Sequence, residues 1–255
     1  MRADQLLVER GLAVSRSQAT RLVAAGVRWR VAGADWRRVG KSGEAIPAHA
    51  DLEVLDAAEA RFVSRGGLKL EGALGASGIE ASGRRCLDVG QSTGGFTDCL
   101  LQHGAAEVVG IDVGHGQLHA RLRADARVRA VEKVNARALC APDLRAAGDS
   151  GEPFELIVGD LSFISLTLVL PALALLLAPQ GELLMLVKPQ FELQPGQIGK
   201  GGIVRDPALY ADVESRLRAA CEALSLRVAG WHDSPIAGGD GNREFFIHAA
   251  RQDGR

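Results

Sequence analysis

The chain has 255 residues, 47% of them apolar and 24% charged, a balance that supports a buried core and excludes a disordered chain. Its net charge of -1 hides an asymmetry: residues 1–50 carry nine Lys/Arg against four Asp/Glu, and the remainder carries 21 against 27. A basic head on an acidic body points to a polyanionic partner for the head, and a solvated arginine face is the plain alternative.

The head opens with a predicted helix over Asp4–Arg10, stopped by Gly11. Ser15 is placed to cap a second helix, with Gln18 as its capping-box partner, Ala19, Leu22 and Val23 as an apolar stripe, and Gly26 as its end. Short extended pieces follow at Val27–Val31 and Leu52–Leu55, with a turn at Ala32-Gly33-Ala34-Asp35 between them. Residues 1–56 therefore read as one small domain, 57–63 as a linker and 64–251 as a second domain.

From Arg84 onward strands and helices alternate, as in a parallel α/β sheet. Expected strands are Arg85–Val89, Glu107–Ile111, Arg127–Val131, Phe154–Val158, Glu182–Val187, Arg227–Trp231 and Arg243–His248. Helices are expected after Gly95, around Gln117–Arg123, along the apolar run Leu161–Ala178, and over Pro207–Ala223 with Asp206 as cap. The apolar run nears the length of a membrane span, but Ser162, Ser165, Thr167 and Pro171 interrupt it, so it reads as a helix packed on the sheet. Gln190–Arg205 is a long Gly-rich loop of the functional kind. Cys86, Cys99, Cys140 and Cys221 form no CxxC pair, which argues against a metal site or disulfide framework and fits a reducing cytoplasm. The N-terminus has no signal-peptide apolar stretch.

The strongest chemical signal is Leu87-Asp88-Val89-Gly90-Gln91-Ser92-Thr93-Gly94-Gly95-Phe96-Thr97-Asp98, a strand running through a glycine-rich turn into a helix. Such a turn lets a ligand lie against the backbone near free N–H groups. The spacing is not that of a dinucleotide G-x-G-x-x-G, and no P-loop lysine follows, which disfavours an NAD-linked enzyme. An acid before the glycines suits a cofactor that carries a sulfonium. Asp112, 22 residues after Gly90 at the end of the next strand, is placed for ribose hydroxyls, and Glu132 with Asn135 for adenine. Each acid alone reads equally as a turn former or cap. Together, Asp88, Gly90, Ser92, Thr93, Gly94, Gly95, Phe96, Asp112, Glu132 and Asn135 make a nucleoside-cofactor site.

After the fourth strand stands Gly159-Asp160-Leu161-Ser162-Phe163, without the Pro-Pro-aromatic run of base-amine methylation, and no cysteine sits where base-carbon methylation needs one. A ribose hydroxyl is then a good candidate, and it needs a base to take its proton. Lys69, Asp160, Lys188 and Glu244 meet that need: Lys188 as base, Lys69 as the neighbouring cation and substrate clamp, and the two carboxylates orienting them. A pair of rim salt bridges is the plain alternative.

These residues carry a resemblance. Val63-Ser64-Arg65-Gly66-Gly67-Leu68-Lys69-Leu70, Ser92-Thr93-Gly94-Gly95-Phe96-Thr97-Asp98, Ser162-Phe163-Ile164-Ser165, Val187-Lys188-Pro189-Gln190-Phe191-Glu192 and Gly199–Pro207 resemble the FtsJ-type ribose 2′-O-methyltransferases, in particular the TlyA family once called hemolysins. The resemblance covers residues 62–250. It implies a Rossmann-like class I methyltransferase fold, S-adenosyl-L-methionine as cofactor, no metal, and the Lys-Asp-Lys-Glu set at Lys69, Asp160, Lys188 and Glu244. Residues 1–56 resemble the RNA-binding domain of ribosomal protein S-four, which implies a small α+β head with phosphate contacts at Arg2, Arg16, Arg21, Arg28 and Lys41, joined by Arg65. Where that module usually has Val-x-Val-Asn-Gly, this chain reads Val27-Arg28-Trp29-Arg30-Val31-Ala32-Gly33, and Gln91 stands where a small residue is usual. Trp29 is expected to fill the core, with stacking and charge for RNA from Trp29, Arg28 and Arg30 as the alternative, and Gln91 is expected to point away from the cofactor.

The implied activity is cytidine 2′-O-methylation of ribosomal RNA, on the large-subunit 23S RNA from the short N-terminus, with 16S RNA as a further candidate. The implied partner is ribosomal RNA or a ribosomal subunit in the cytoplasm, with no membrane and a monomer favoured. The competing readings are an RNA-binding assembly factor with an inactive methyltransferase fold and a membrane-active hemolysin.

Overall fold

Periodicity in the first 55 residues becomes two helices over a three-stranded antiparallel sheet in the computed structural model, which describes residues 1–55 and 61–251. The helices are α1 (Ala3–Glu9) and α2 (Arg16–Gly26); the strands are β1 (Val27–Arg30), β2 (Arg37–Arg38) and β3 (Asp51–Val54), in the order β2-β1-β3. Val27 and Trp29 pack with Leu6, Leu7, Leu22 and Ile46 in a small core. The alternate residues Arg28 and Arg30 stand opposite Glu53 and Asp51 in the β1–β3 register. Ser15 caps α2 by accepting from the Gln18 N–H at 3.2 Å. The Gln18 side chain reaches one residue further than a capping box requires and accepts from the Val14 N–H at 2.7 Å.

Contacts divide the chain into Met1–Leu68 and Lys69–Arg255. Residues 56–60, which include most of the expected linker, lie outside the described residues. Phe62, at the described end of that stretch, belongs to the first unit: its carbonyl accepts from the Gln18 amide at 3.1 Å.

The helix α3 (Gly66–Ser77) leads into a seven-stranded sheet. Its elements in chain order are β4 (Arg85–Val89), α4 (Gly95–Gln102), β5 (Glu107–Asp112), α5 (Ala120–Arg123), β6 (Val128–Glu132), α6 (Ala141–Ala146), β7 (Phe154–Gly159), α7 (Leu170–Leu176), β8 (Leu177–Val187), α8 (Pro189–Glu192), α9 (Ala208–Ala223), β9 (Leu226–Asp233) and β10 (Phe245–Arg251). The sheet order is β6-β5-β4-β7-β8-β10-β9, with β10 antiparallel to both neighbours and the other pairs parallel. Order reverses between β4 and β7, so a crevice opens at the carboxyl ends of those strands. The core carries Leu87, Val109, Ile157, Met185 and Ile247 from successive strands.

The seven expected strands are all present, with ends shifted by a few residues. The apolar run is a correction. Only Leu170–Leu176 is α-helical, and Leu177 already belongs to β8. Phe163 adopts φ 63°, Ser165 caps a short 3-10 turn at Leu166–Leu168, and Pro171 sits in the first turn of α7, where its missing N–H costs nothing. Gln117–Arg123 likewise shortens to α5, whose cap is the His119 ring nitrogen accepting from the Arg121 N–H. At α9, Pro207 itself is the N-cap, and the Asp206 carboxylate accepts from the Ala208 N–H at 2.9 Å. Among the described residues, no helix is long and apolar enough to cross a membrane.

Candidate active site

The crevice holds a cavity of about 500 Å³, walled by Gly90, Asp112, Asn135, Asp160, Ser162 and Phe163 among others. Strand register explains the convergence. Val89 pairs with Gly159, so Gly90 and Asp160 leave their strands side by side, and the Asp160 N–H donates to the Val89 carbonyl at 3.0 Å. Gly90 has φ 86°, and a Cβ there would sit 2.6 Å from the Asp160 carbonyl oxygen. Glycine is required on both counts.

Asp112 occupies the next strand end. One of its oxygens accepts from the Ser92 N–H at 2.8 Å and the other from the Gly114 N–H at 2.7 Å. A carboxylate has about four lone-pair sites, so each oxygen keeps capacity for a further donor. Ser92 also donates to the Gln117 amide oxygen at 3.2 Å. Ile111, Val113, Val134 and Leu161 line the cavity and give it an apolar side.

Of the cofactor set read from sequence, Gly90, Ser92, Asp112 and Asn135 line the cavity, and the other six do not. Asp88 is 1% exposed and accepts from both the backbone and hydroxyl of Thr97, at 2.9 and 2.7 Å, so it fastens the start of α4 from beneath. Burial pushes its carboxyl up to about 7 against the pull of those two donors. Thr93 is exposed, and its carbonyl accepts from His119. Gly94 lies under Leu118 and Leu122, and Gly95 is buried at the first position of α4. Phe96 stacks on Phe246 in the core with ring centroids 6.1 Å apart. Glu132 is held by Arg123 at 2.5 Å and by the Gly116 N–H, interactions that lower its carboxyl below the usual range. Gln91 is buried over Gly110 and donates to the Thr97 hydroxyl at 2.9 Å, away from the cavity.

Asp160, on the cavity wall, belongs to a cluster of two lysine–carboxylate pairs. Phe245 pairs antiparallel with Val187, so Glu244, just before β10, and Lys188, just after β8, pass the same sheet edge together. Lys188 lies 2.5 Å from Asp160 and donates to the Ser162 hydroxyl at 2.8 Å. Lys69, on α3 and 8% exposed, lies 2.6 Å from Glu244, which is 4% exposed. Burial raises the Glu244 carboxyl above its ordinary range, opposed first by Lys69.

The sequence reading missed several residues here. Phe163 is 89% exposed in a left-handed conformation, its ring 4.9 Å from that of Phe191. Glu192 is buried and accepts from the Ser165 hydroxyl at 2.6 Å and the Leu166 N–H at 2.7 Å, which pins the loop carrying Ser162 and Phe163. Both stand in the quoted motifs, but only the fold gives them these tasks. No motif points to Gln117.

In the first unit, Arg2 and Arg16 both bind the buried Asp4, at 2.9 and 3.0 Å, and Arg28 binds Glu53 at 2.7 Å. Arg2 and Arg16 thus share one carboxylate, and all three arginines stay partly exposed. Lys41 lines an open groove of about 460 Å³ with Thr20, Arg38 and Ser42. Arg21 lies on α2, and Arg65 directly precedes α3. Trp29 is half-buried against the small core and donates to Glu44 at 3.2 Å.

The pattern of the FtsJ-like methyltransferase family matches residues 62–251. The chain is 46% identical to the 16S/23S rRNA (cytidine-2′-O)-methyltransferase TlyA of Mycobacterium tuberculosis, covering 100% of this chain and 91% of that one. It is 37% identical to Hemolysin A of Brachyspira hyodysenteriae, over 97% and 99% of the two chains. A solved chain from Streptococcus thermophilus, provisionally named a hemolysin, superposes with a TM-score of 0.76 at 40% identity, covering 99% of this chain and 89% of that one. An S-adenosylmethionine-dependent methyltransferase from Mesorhizobium loti shares the fold alone, with a TM-score of 0.51 at 16% identity over 71% and 96% of the chains.

Proposed function

Since this chain belongs to the FtsJ-like methyltransferase family, we propose that it transfers a methyl group from S-adenosyl-L-methionine to the 2′-oxygen of a cytidine ribose in ribosomal RNA. The cavity fits that cofactor. Asp112 offers acceptors for two ribose hydroxyls, Asn135 and the apolar wall take the adenine, and the acidic side formed by Asp160 complements a cationic sulfonium and ammonium. When bound, the cofactor supplies an electrophilic methyl group.

The observation that carries the reading is the pairing of Lys188 with Asp160, which lines the cavity, and of Lys69 with Glu244, whose carboxylate interacts electrostatically with both Lys188 and Asp160. A ribose hydroxyl is a weak nucleophile until its proton is removed as the methyl group arrives. Lys188 takes that proton in its neutral amine form and becomes the ammonium that pairs with Asp160, with Asp160 and Ser162 fixing its direction. Lys69, locked by Glu244, holds the nucleotide. The Phe163–Phe191 pair offers the adjoining base an aromatic surface. Large-subunit RNA is the proposed substrate, in the cytoplasm.

The test is Lys188→Ala in the full-length protein. Transfer to ribosomal RNA is expected to fall by roughly 100-fold or more, as for loss of a general base, while calorimetric affinity for S-adenosyl-L-methionine changes less than about threefold. Full activity in this variant removes Lys188 as the base, and an absence of cofactor binding in the wild type removes the enzyme reading altogether.

A further inference from the structure

The first unit carries its available positive charge in a different place from the one its helices suggest. Arg2 and Arg16 share Asp4, Arg28 pairs with Glu53 and Arg30 with Asp51. Residues 27–38 hold Arg28, Arg30, Arg37 and Arg38 against a single acid, Asp35. Arg37 and Arg38 form β2, the edge strand of the small sheet, and neither makes an ion pair among the described residues.

Beside that edge lies Trp36. The Arg28 guanidinium sits 4.8 Å from the centre of its ring and the Arg30 guanidinium 4.6 Å. The register dictates this arrangement: Arg28 and Arg30 share one face of β1, Glu53 and Asp51 stand opposite them on β3, and Arg38 pairs with Arg28 from the other side. Each acid holds its arginine from one side and so limits the ways the guanidinium can turn on the indole. On the other face of the same hairpin Trp29 packs on the core, and the exposed Arg37 lies 6.0 Å from its ring. Arg38 and Lys41 then line the groove that also holds Thr20 and Ser42.

We infer that the Trp36–Arg38 edge, with Arg28 and Arg30, is the surface on which this unit holds RNA: an unpaired nucleobase stacks on the arginine–tryptophan layer, and the flanking phosphates meet Arg37, Arg38 and Lys41. A planar guanidinium with one face on an indole still offers its other face to a base, and unpaired cations beside it supply the phosphate attraction. Arg37, Arg38 and Lys41, none in an ion pair among the described residues, favour RNA over a protein partner. The hairpin also supplies a grip where the expected Asn of the S-four-like turn is missing. This inference rests on the reading that RNA is the substrate.

The test titrates naked large-subunit ribosomal RNA and intact large subunits with full-length wild type, Trp36→Ala, Trp36→Phe and the double variant Arg37→Gln/Arg38→Gln, after thermal melting confirms that each is folded. Trp36→Ala is expected to weaken naked-RNA binding by roughly 10-fold, with Trp36→Phe keeping most of the affinity. The double variant is expected to flatten the slope of log affinity against log salt by about 1.4, two single-strand phosphate contacts. If the wild type binds naked RNA and these variants match it in affinity and slope, the hairpin surface is refuted while the RNA reading stands. Loss on intact subunits alone assigns the edge to a ribosomal protein and refutes the RNA assignment. A wild type that binds neither probe sinks the RNA reading, and the hairpin with it.

Discussion

At the scale of single residues, the site depends on carboxylates with unequal surroundings. Asp112 stands at the cavity wall with two backbone donors, whereas Asp88, two residues before Gly90, is sealed below the turn with one oxygen buried and unpaired. Removal from water drives its carboxyl up to about 7, with Asp160 and Asp112 adding repulsion. The folded state therefore keeps a proton that the unfolded chain releases near its ordinary range, about 4. It follows that stability is fullest below about pH 4 as far as this group is concerned, and falls as pH rises toward 7 and beyond. Glu244, also raised by burial, pushes in the same direction. Asp88→Asn, which keeps an acceptor for Thr97 and removes the ionisation, is expected to lessen the fall in melting temperature between pH 5 and pH 8. An unchanged slope would show that Asp88 does not titrate in this window. Sequence placed Asp88 correctly at a strand end beside the glycines, but a strand-end acid can face the ligand or the core, and only packing decides between them.

At the scale of elements, the strands were the most legible part, because strands buried on both faces run as continuous apolar stretches. Leu161–Ala178 shows where that signal fails. An apolar run has no period of its own, and here it divides into the loop bearing Ser162 and Phe163, a 3-10 turn, the short helix α7 and the start of β8. The break is enforced from a distance: Glu192, on α8, supplies the acceptors for Ser165 and Leu166. No local rule announces such a tie across 26 residues. The turn after β4 was readable because its glycine has a steric cause. Gly90→Ala must place a Cβ 2.6 Å from the Asp160 carbonyl at φ 86°, so either β4 or the strand end carrying Asp160 has to shift. A loss of about 1–3 kcal/mol in unfolding free energy is expected, together with at least a tenfold loss of cofactor affinity. Unaltered affinity in a calorimetric titration would mean that the turn does not shape the cofactor site.

For the molecule as a whole, the division of labour follows charge: a basic first unit and an acidic second one whose sheet ends gather two lysine–carboxylate pairs. Lys69, Asp160, Lys188 and Glu244 were named by motif; they meet because β7 and β8 run parallel, β10 returns antiparallel beside β8, and α3 carries Lys69 to Glu244. The proposed RNA surface was less legible, since arginine counts ignore the carboxylates opposite them: Asp4 takes Arg2 and Arg16, and Trp36 stands in no motif. The central claim is the atom that receives the methyl group. The direct measurement is to incubate the purified protein with large-subunit ribosomal RNA and methyl-labelled S-adenosyl-L-methionine, digest the RNA to nucleosides, and locate the label by mass. Label on the ribose of 2′-O-methylcytidine is the predicted result; label on a base, or none from a protein that binds the cofactor, contradicts it.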